Sequence, residues 1–266
     1  MLHLFFFFEI WSDFNKSHGV DYSVLTPSQH GFRKGGSCLS NLLVFLDSVT
    51  NSLDNQDNVD VIYLDFAKAF DNVPHGRLLD KLRSHGIEGK VWVWLKEWLQ
   101  GRKQRVCING CRSDWRDVTS GVPQGSVLGP VLFLIFINDL EATLVNSVLK
   151  FADDTKLFGK VNNDIDRRSI QNDLYRLIDW SEKWQMPFNT TKCKVMHLGR
   201  SNNQFQYLMN NHTLEAVVEE KDLGLCITNN LKPSKQCQQA YAKASKALGL
   251  IARTISYKKS DVLLKL

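Results

Sequence analysis

The chain has 266 residues, 43% hydrophobic and 23% charged, a globular composition that excludes a disordered or fibrous protein. That length holds one large domain or two to three lobes around a shared core. The net charge of +5 is unevenly spread: from Leu231 onward Lys232, Lys235, Lys243, Lys246, Arg253, Lys258, Lys259 and Lys265 face one acid, Asp261, and such a basic face attracts polyanions unless it is simply solvated.

The opening "MLHLFFFFEIW" is too short to span a bilayer and lacks the basic start and cleavage site of a signal peptide, so it reads as a core segment. "SCLSNLLVFLDSVTNSLDN" places Leu39, Leu42, Leu43, Leu46, Val49 and Leu53 at helical spacing. "VDVIYLDFAKAF" begins as an apolar sheet strand, Val59 to Phe66, and Pro74 opens a helix that Gly86 stops. A short Trp-rich helix ends at Gly101. A basic hairpin follows, with Arg102, Lys103 and Arg105 at its entry and Asn109-Gly110 as turn chemistry. "SGVPQGSVLGPVLFLIFINDL" is a Gly/Pro loop and then a helix of about fifteen residues, apolar nearly all round and therefore buried. "VLKFADDTKLF" reads as strand–turn–strand. An amphipathic helix spans 163–186, "CKVMHLG" and "DLGLCI" are short strands, and a basic helix closes the chain over 234–256. Helices alternating with hairpin-connected strands suggest an α+β fold, an antiparallel sheet with helices packed on one face.

The six cysteines form no C-x-x-C, and Cys107 and Cys111 have no nearby partners to complete a zinc site. Reduced thiols in an intracellular protein are expected, with nucleus and cytoplasm both open.

The turn "FADDT" sets Asp153 beside Asp154. Alone, such a pair is ordinary turn chemistry. Asp65, at the end of the apolar run "VIYLD", changes that reading, because a buried charge there is costly without a partner. If that strand is central and lies beside the 148–158 hairpin, Asp65 and Asp153 converge. Carboxylates sharing one site need bound cations, and oxygen-only ligation suits Mg²⁺.

Six segments together resemble a reverse transcriptase of the jockey-like, non-LTR (LINE-type) retrotransposon branch: "QHGFRKGGSC", "VIYLDFAKAFDNVPH", "SGVPQGSVLGP", "FADDT", "WSEKWQMPFNTTKCKVMHLG" and "KDLGLCI", in the family order. The resemblance implies a right-hand polymerase: partial fingers over 1–58, a palm over 59–228 with 81–118 as a fingers-side insertion, and the start of a thumb over 229–266. It implies RNA-directed DNA synthesis, with an RNA template, a DNA primer and dNTPs, and two Mg²⁺ ions for which Mn²⁺ can substitute. It makes Asp65 and Asp153 metal ligands, Asp154 the supporting acid, and Lys192 the proton donor to the leaving pyrophosphate. Phe66, Phe70, Gln124, Gly125, Arg33 and Lys34 would face the nucleotide, with Phe70 excluding a 2′-hydroxyl. Arg102, Lys103, Arg105, Lys243 and Lys246 would meet nucleic acid. Trp180 and Trp184, four residues apart, read as a packing pair.

Compared with the family pattern, upstream fingers sequence, most of the thumb and an endonuclease domain are expected to be missing. Two other readings stand beside the polymerase. An RNA-directed RNA polymerase is opposed by Phe70, where those enzymes hold a ribose-reading Asp, and by Phe-Ala before the Asp pair. A nucleic-acid-binding remnant that has lost turnover would keep all three aspartates.

Overall fold

The computed structural model describes residues 25–254, and the reading of the N-terminal apolar run as core lies outside them. The chain divides into two compact units, Met1–Ala216 and Val217–Leu266.

The first unit opens with α1 (Cys38–Asp54) and β1 (Val59–Leu64), followed by α2 (His75–Ser84) and α3 (Gly89–Leu99). Four two-residue strands come next: β2 (Lys103–Gln104), β3 (Cys107–Ile108), β4 (Cys111–Arg112) and β5 (Arg116–Asp117). Then follow α4 (Leu128–Phe136), β6 (Ser147–Phe151), β7 (Asp154–Lys160), α5 (Asp164–Trp184) and β8 (Lys194–Leu198). The short β9 (Leu208–Met209), β10 (His212–Thr213) and β11 (Glu215–Ala216) end the unit.

The main sheet has the order β11-β8-β1-β7-β6, antiparallel except for the β11–β8 pair. β1 is central, with Ile62 opposite both Leu157 and Val195. A strand buried on both faces needs an apolar run rather than alternation, which is why "VIYL" contains no polar–apolar beat. The face carrying Ile62, Leu64, Val148, Leu157 and Val195 belongs to the main core with residues of α2, α3, α4 and α5. α1 covers the other face, where Phe45 meets Phe158 edge-on at 5.3 Å. The α+β class read from the sequence therefore holds, with most helices on one face and α1 on the other.

The buried side of α1 is Asn41, Leu42, Phe45, Val49 and Ser52, whereas Leu39 and Leu43 are exposed. The expected stripe was thus rotated by about one position. Asn41 explains the shift, since its amide donates to the carbonyl of Lys150 in the sheet edge and pulls that face inward. A Ser37–Ser40 capping box starts the helix.

α4 is shorter than expected and stops at Phe136 because two buried lysines take its terminal carbonyls. Lys81 Nζ donates to Phe136 O, and Lys150 Nζ lies 3.5 Å from both Ile137 O and Asn138 O. Cations at a helix C-terminus meet the negative end of its dipole. Trp180 and Trp184 pack edge-on against Phe136, the packing pair expected.

The second unit holds β12 (Glu219–Asp222) and β13 (Leu225–Thr228), a hairpin turned at Leu223-Gly224, and α6 (Ser234–Thr254). "DLGLCI" is therefore a turn and a strand rather than one strand. Among the described residues, no helix is long and apolar enough to cross a membrane.

Candidate active site

β1 ends at the pair Leu64↔Thr155, so Asp65 emerges beside the β6–β7 turn that carries Asp153. That turn is two residues long, Ala152 and Asp153, closed by the Phe151↔Asp154 pair. Ala152 has φ +55, the left-handed region that non-glycine residues seldom adopt. Two neighbours hold it there. The carboxamide oxygen of Gln29 accepts from Ala152 N at 3.0 Å and from Gly31 N at 2.8 Å. Gly31 packs so closely that a Cβ on it would lie 2.5 Å from Ala152 N. The backbone of residues 28–30 also pairs with Lys150, sealing the open edge of β6.

Beyond β1 the chain keeps pairing with the segment before β8. Asn189 N donates to Asp65 O at 2.7 Å and Ala67 N to Pro187 O at 2.8 Å. This brings Lys192 Nζ to 3.8 Å from an Asp65 carboxylate oxygen. Beneath it, Cys193 Sγ accepts from Asp65 N at 3.4 Å, and burial pushes that thiol's pKa up to about 11, so it stays protonated. Asp65 itself keeps 43% of its side chain exposed. Asp153 is pushed above the usual carboxylate range, first by burial and further by the neighbouring charge of Asp65, against the pull of its own backbone hydrogen bond.

The structure thus brings Asp65, Asp153 and Lys192 together. Among the described residues, no three His, Cys, Asp or Glu side chains gather closely enough to hold an ion by themselves. The donor set still fits a hard divalent cation. Two oxygen-donor carboxylates repel one another, and such an ion takes its remaining ligands from water and substrate phosphates. Asp154 begins β7 with its side chain exposed.

A second group forms around Phe70 and Gln124. Phe70 stacks on Phe133 at 4.4 Å between ring centroids. Val122 N donates to Phe70 O, and Gln124 Nε2 donates to Asp71 Oδ1 at 2.9 Å. Gly125 has φ +79 with open space where a Cβ would stand. The Phe66 ring is different. It is buried and stacked on Phe188 at 4.4 Å, so any nucleotide contact at that position belongs to the backbone. Arg33 turns its guanidinium onto the carbonyls of Thr26, Pro27 and Gln29, bracing its own loop, and Lys34 is exposed. Arg102, Lys103 and Arg105 lie in or at the base of an exposed ribbon, and Lys243 and Lys246 are exposed on α6 in the second unit.

Sequence reasoning overlooked Gln29, Gly31 and Cys193, though each lies inside a segment already singled out. It also missed the pocket of Lys81, whose ammonium meets Asp139 and stands 3.9 Å from the Trp184 ring centroid and 4.7 Å from those of Phe136 and Trp180.

The family described as "Reverse transcriptase (RNA-dependent DNA polymerase)" matches residues 14–213. The probable RNA-directed DNA polymerase from transposon X-element of Drosophila melanogaster is 30% identical over 175 residues, 63% of this chain and 19% of that protein. The RNA-directed DNA polymerase from mobile element jockey of the same species is 28% identical over 238 residues, 84% of this chain and 26% of that protein. The chain therefore spans about a fifth to a quarter of the length of these relatives. In fold it is similar to apo telomerase of Candida tropicalis truncated from its C-terminal domain, with a TM-score of 0.53 at 12% identity over 77% of this chain and 40% of that one. Telomerase from the same yeast, in complex with a fragment of telomeric RNA, gives a TM-score of 0.52 at 12% identity over 80% and 35%. With its central strand, its Asp-Asp hairpin and its relatives among the jockey-like non-LTR elements, the chain belongs to the reverse transcriptase family.

Proposed function

We propose that this chain is the polymerase core of a non-LTR retrotransposon protein, extending a primer 3′-hydroxyl with dNTPs on an RNA template. The observation that carries the reading is the convergence of Asp65, at the end of the central strand, with Asp153 in the adjacent hairpin turn. Residues 59–228 are read as the palm, 1–58 as part of the fingers and 229–266 as the start of the thumb.

Asp65 and Asp153 would hold the divalent ions, Mg²⁺ or in its place Mn²⁺, with Asp154 supporting them. Two such ions supply neutralisation of the charge that develops on the attacking and leaving oxygens. The chain's own groups position and select. Lys192, 67% exposed and 3.8 Å from Asp65, is free to swing toward the leaving pyrophosphate and give it a proton. Phe70 is backed by Phe133 and so presents a firm ring edge where a ribose 2′-hydroxyl would collide. Gln124, tethered to Asp71, offers its remaining polar atoms to the nascent pair.

Primer extension on an RNA template, with dNTPs and NTPs offered separately, tests this reading. DNA synthesis that disappears in Asp153→Ala supports it. Ribonucleotide incorporation would assign an RNA polymerase. Primer–template binding without synthesis in wild type would leave the nucleic-acid-binding remnant.

A further inference from the structure

Between Gly101 and Ser120 the chain leaves the body as a two-stranded ribbon. Lys103 and Gln104 pair with Asp117 and Arg116, and Cys107 and Ile108 pair with Arg112 and Cys111. At the tip, Asn109 and Gly110 both take positive φ, +49 and +85, as a two-residue hairpin turn of this hand demands. Every residue from 103 to 117 is exposed, Val106, Ile108 and Trp115 among them. A lone ribbon of this kind is marginally stable in water, and its free edges and apolar side chains are a liability unless something uses them.

Its chemistry says what. Arg102, Lys103, Arg105, Arg112 and Arg116 stand against Asp114 and Asp117, and only Lys103 spends its charge on one of those acids, at 3.7 Å from Asp117 among the ion pairs of the described residues. The Arg105 guanidinium lies over one face of Trp115, 4.4 Å from the ring centroid. Trp115 nevertheless remains 56% exposed, which leaves its ring open to a second flat partner.

The ribbon is rooted beside the candidate site. Val118 N donates to Arg102 O and closes the neck. The following residues are stapled to the segment after Phe70. Gly121 N donates to Val73 O at 2.8 Å, Ser120 Oγ donates to Asp71 O at 2.8 Å, and His75 Nε2 bonds Gly121 O. The same stretch then carries Gln124.

We propose that residues 102–117 form an arm that takes a single-stranded stretch of nucleic acid, the arginines on phosphates and Trp115 stacked on a base. The proposal rests on the polymerase reading for its placement, since it makes the arm a guide for template beside the site. Arginine and an aromatic ring on a basic ribbon are the combination that single-strand binding uses, because every base has a stacking face and every nucleotide a phosphate.

The test is fluorescence anisotropy of the full chain with a labelled single-stranded RNA about 20 nucleotides long, titrated across salt, with the matching duplex in parallel. Trp115→Ala is expected to weaken single-strand binding roughly tenfold, with Trp115→Phe close to wild type. The triple variant Arg105→Ala, Arg112→Ala, Arg116→Ala is expected to flatten the dependence of log affinity on log salt by about two. These side chains are exposed, so melting temperatures should stay put. Wild-type affinity and salt slope in the triple variant would overturn the arm while leaving the polymerase reading intact, as would loss of duplex binding alone. A wild-type chain that binds no RNA would overturn both. Normal RNA binding with a changed self-association would give the ribbon to a protein partner instead.

Discussion

The carboxamide of Gln29 accepts the backbone hydrogen of Ala152, a residue 123 positions away in the chain, and so fixes the turn that aims Asp153. Gln29 is almost wholly buried, and the same oxygen accepts from Gly31. Replacing it with Met keeps the volume and removes the acceptor, leaving two buried amides unmet at a cost of about 1–3 kcal/mol. Gln29→Met should melt a few degrees lower and lose primer-extension rate about tenfold. Gln29→Glu, which retains an acceptor oxygen, should recover most of the rate. Equal loss in both variants would show that the turn does not depend on this bond.

The Lys81 pocket predicts a pH dependence of stability. Burial holds the Lys81 pKa down to about 8 from 10.5, against the opposing pull of Asp139. Between those values the unfolded chain carries the proton and the folded chain does not, so unfolding free energy rises with pH across that window and is flat below it. The rise approaches about 3 kcal/mol if the shift is fully expressed. Urea denaturation of wild type and Lys81→Met from pH 7 to 11 should show the difference between them growing in favour of wild type above pH 8. Lys150, lowered by the same cause, is present in both proteins and cancels.

Gly121 is a third test. Its φ is +86, and a Cβ there would stand 2.7–2.9 Å from backbone atoms of Asp71. Gly121→Ala should cost about 2 kcal/mol or more, because neither the backbone angle nor the main-chain neighbour can yield cheaply. Thermal melting should fall by several degrees, and the Gln124–Asp71 bond should be disturbed with it. An unchanged melting curve would contradict the staple between these segments.

Asp60 offers a fourth. It lies fully buried in the middle of β1 and accepts from His197 Nδ1 at 2.7 Å, Asn202 Nδ2 at 2.8 Å and the Tyr207 hydroxyl at 2.7 Å. Burial, and after it the charge of Asp60, push the Tyr207 pKa up, so the phenol keeps its proton as donor. Tyr207→Phe removes one donor to a buried charge and should cost about 1.5–3 kcal/mol, read by urea denaturation at pH 7. A loss well under 1 kcal/mol would mean that the other donors suffice.

Much of this was legible in the chain. The central strand announced itself by an apolar run with a carboxylate at its end, and Asn109-Gly110 named its own turn. What sequence could not supply was rotation and partnership. The face of α1 was misjudged because Asn41 and Ser52, polar by type, are buried by a hydrogen bond and by packing, while Leu39 and Leu43 stay outside. α4 was drawn too long because nothing local tells that Lys81 and Lys150, one on another helix and one on a strand, end it. Gln29 looked like loop chemistry until the hairpin arrived beside it.

The sheet order also dictates when the site can exist. The central strand pairs on one side with residues up to Lys160 and on the other with residues up to Leu198. During synthesis from the N-terminus, the apolar run Val59–Leu64 therefore waits uncovered until nearly the whole first unit has left the ribosome. Such long-range pairing folds slowly and leaves a sticky strand in the open meanwhile. Nascent chains arrested before Leu198 should be held by chaperones or degraded, and the two aspartates should come together only as one of the last events of folding.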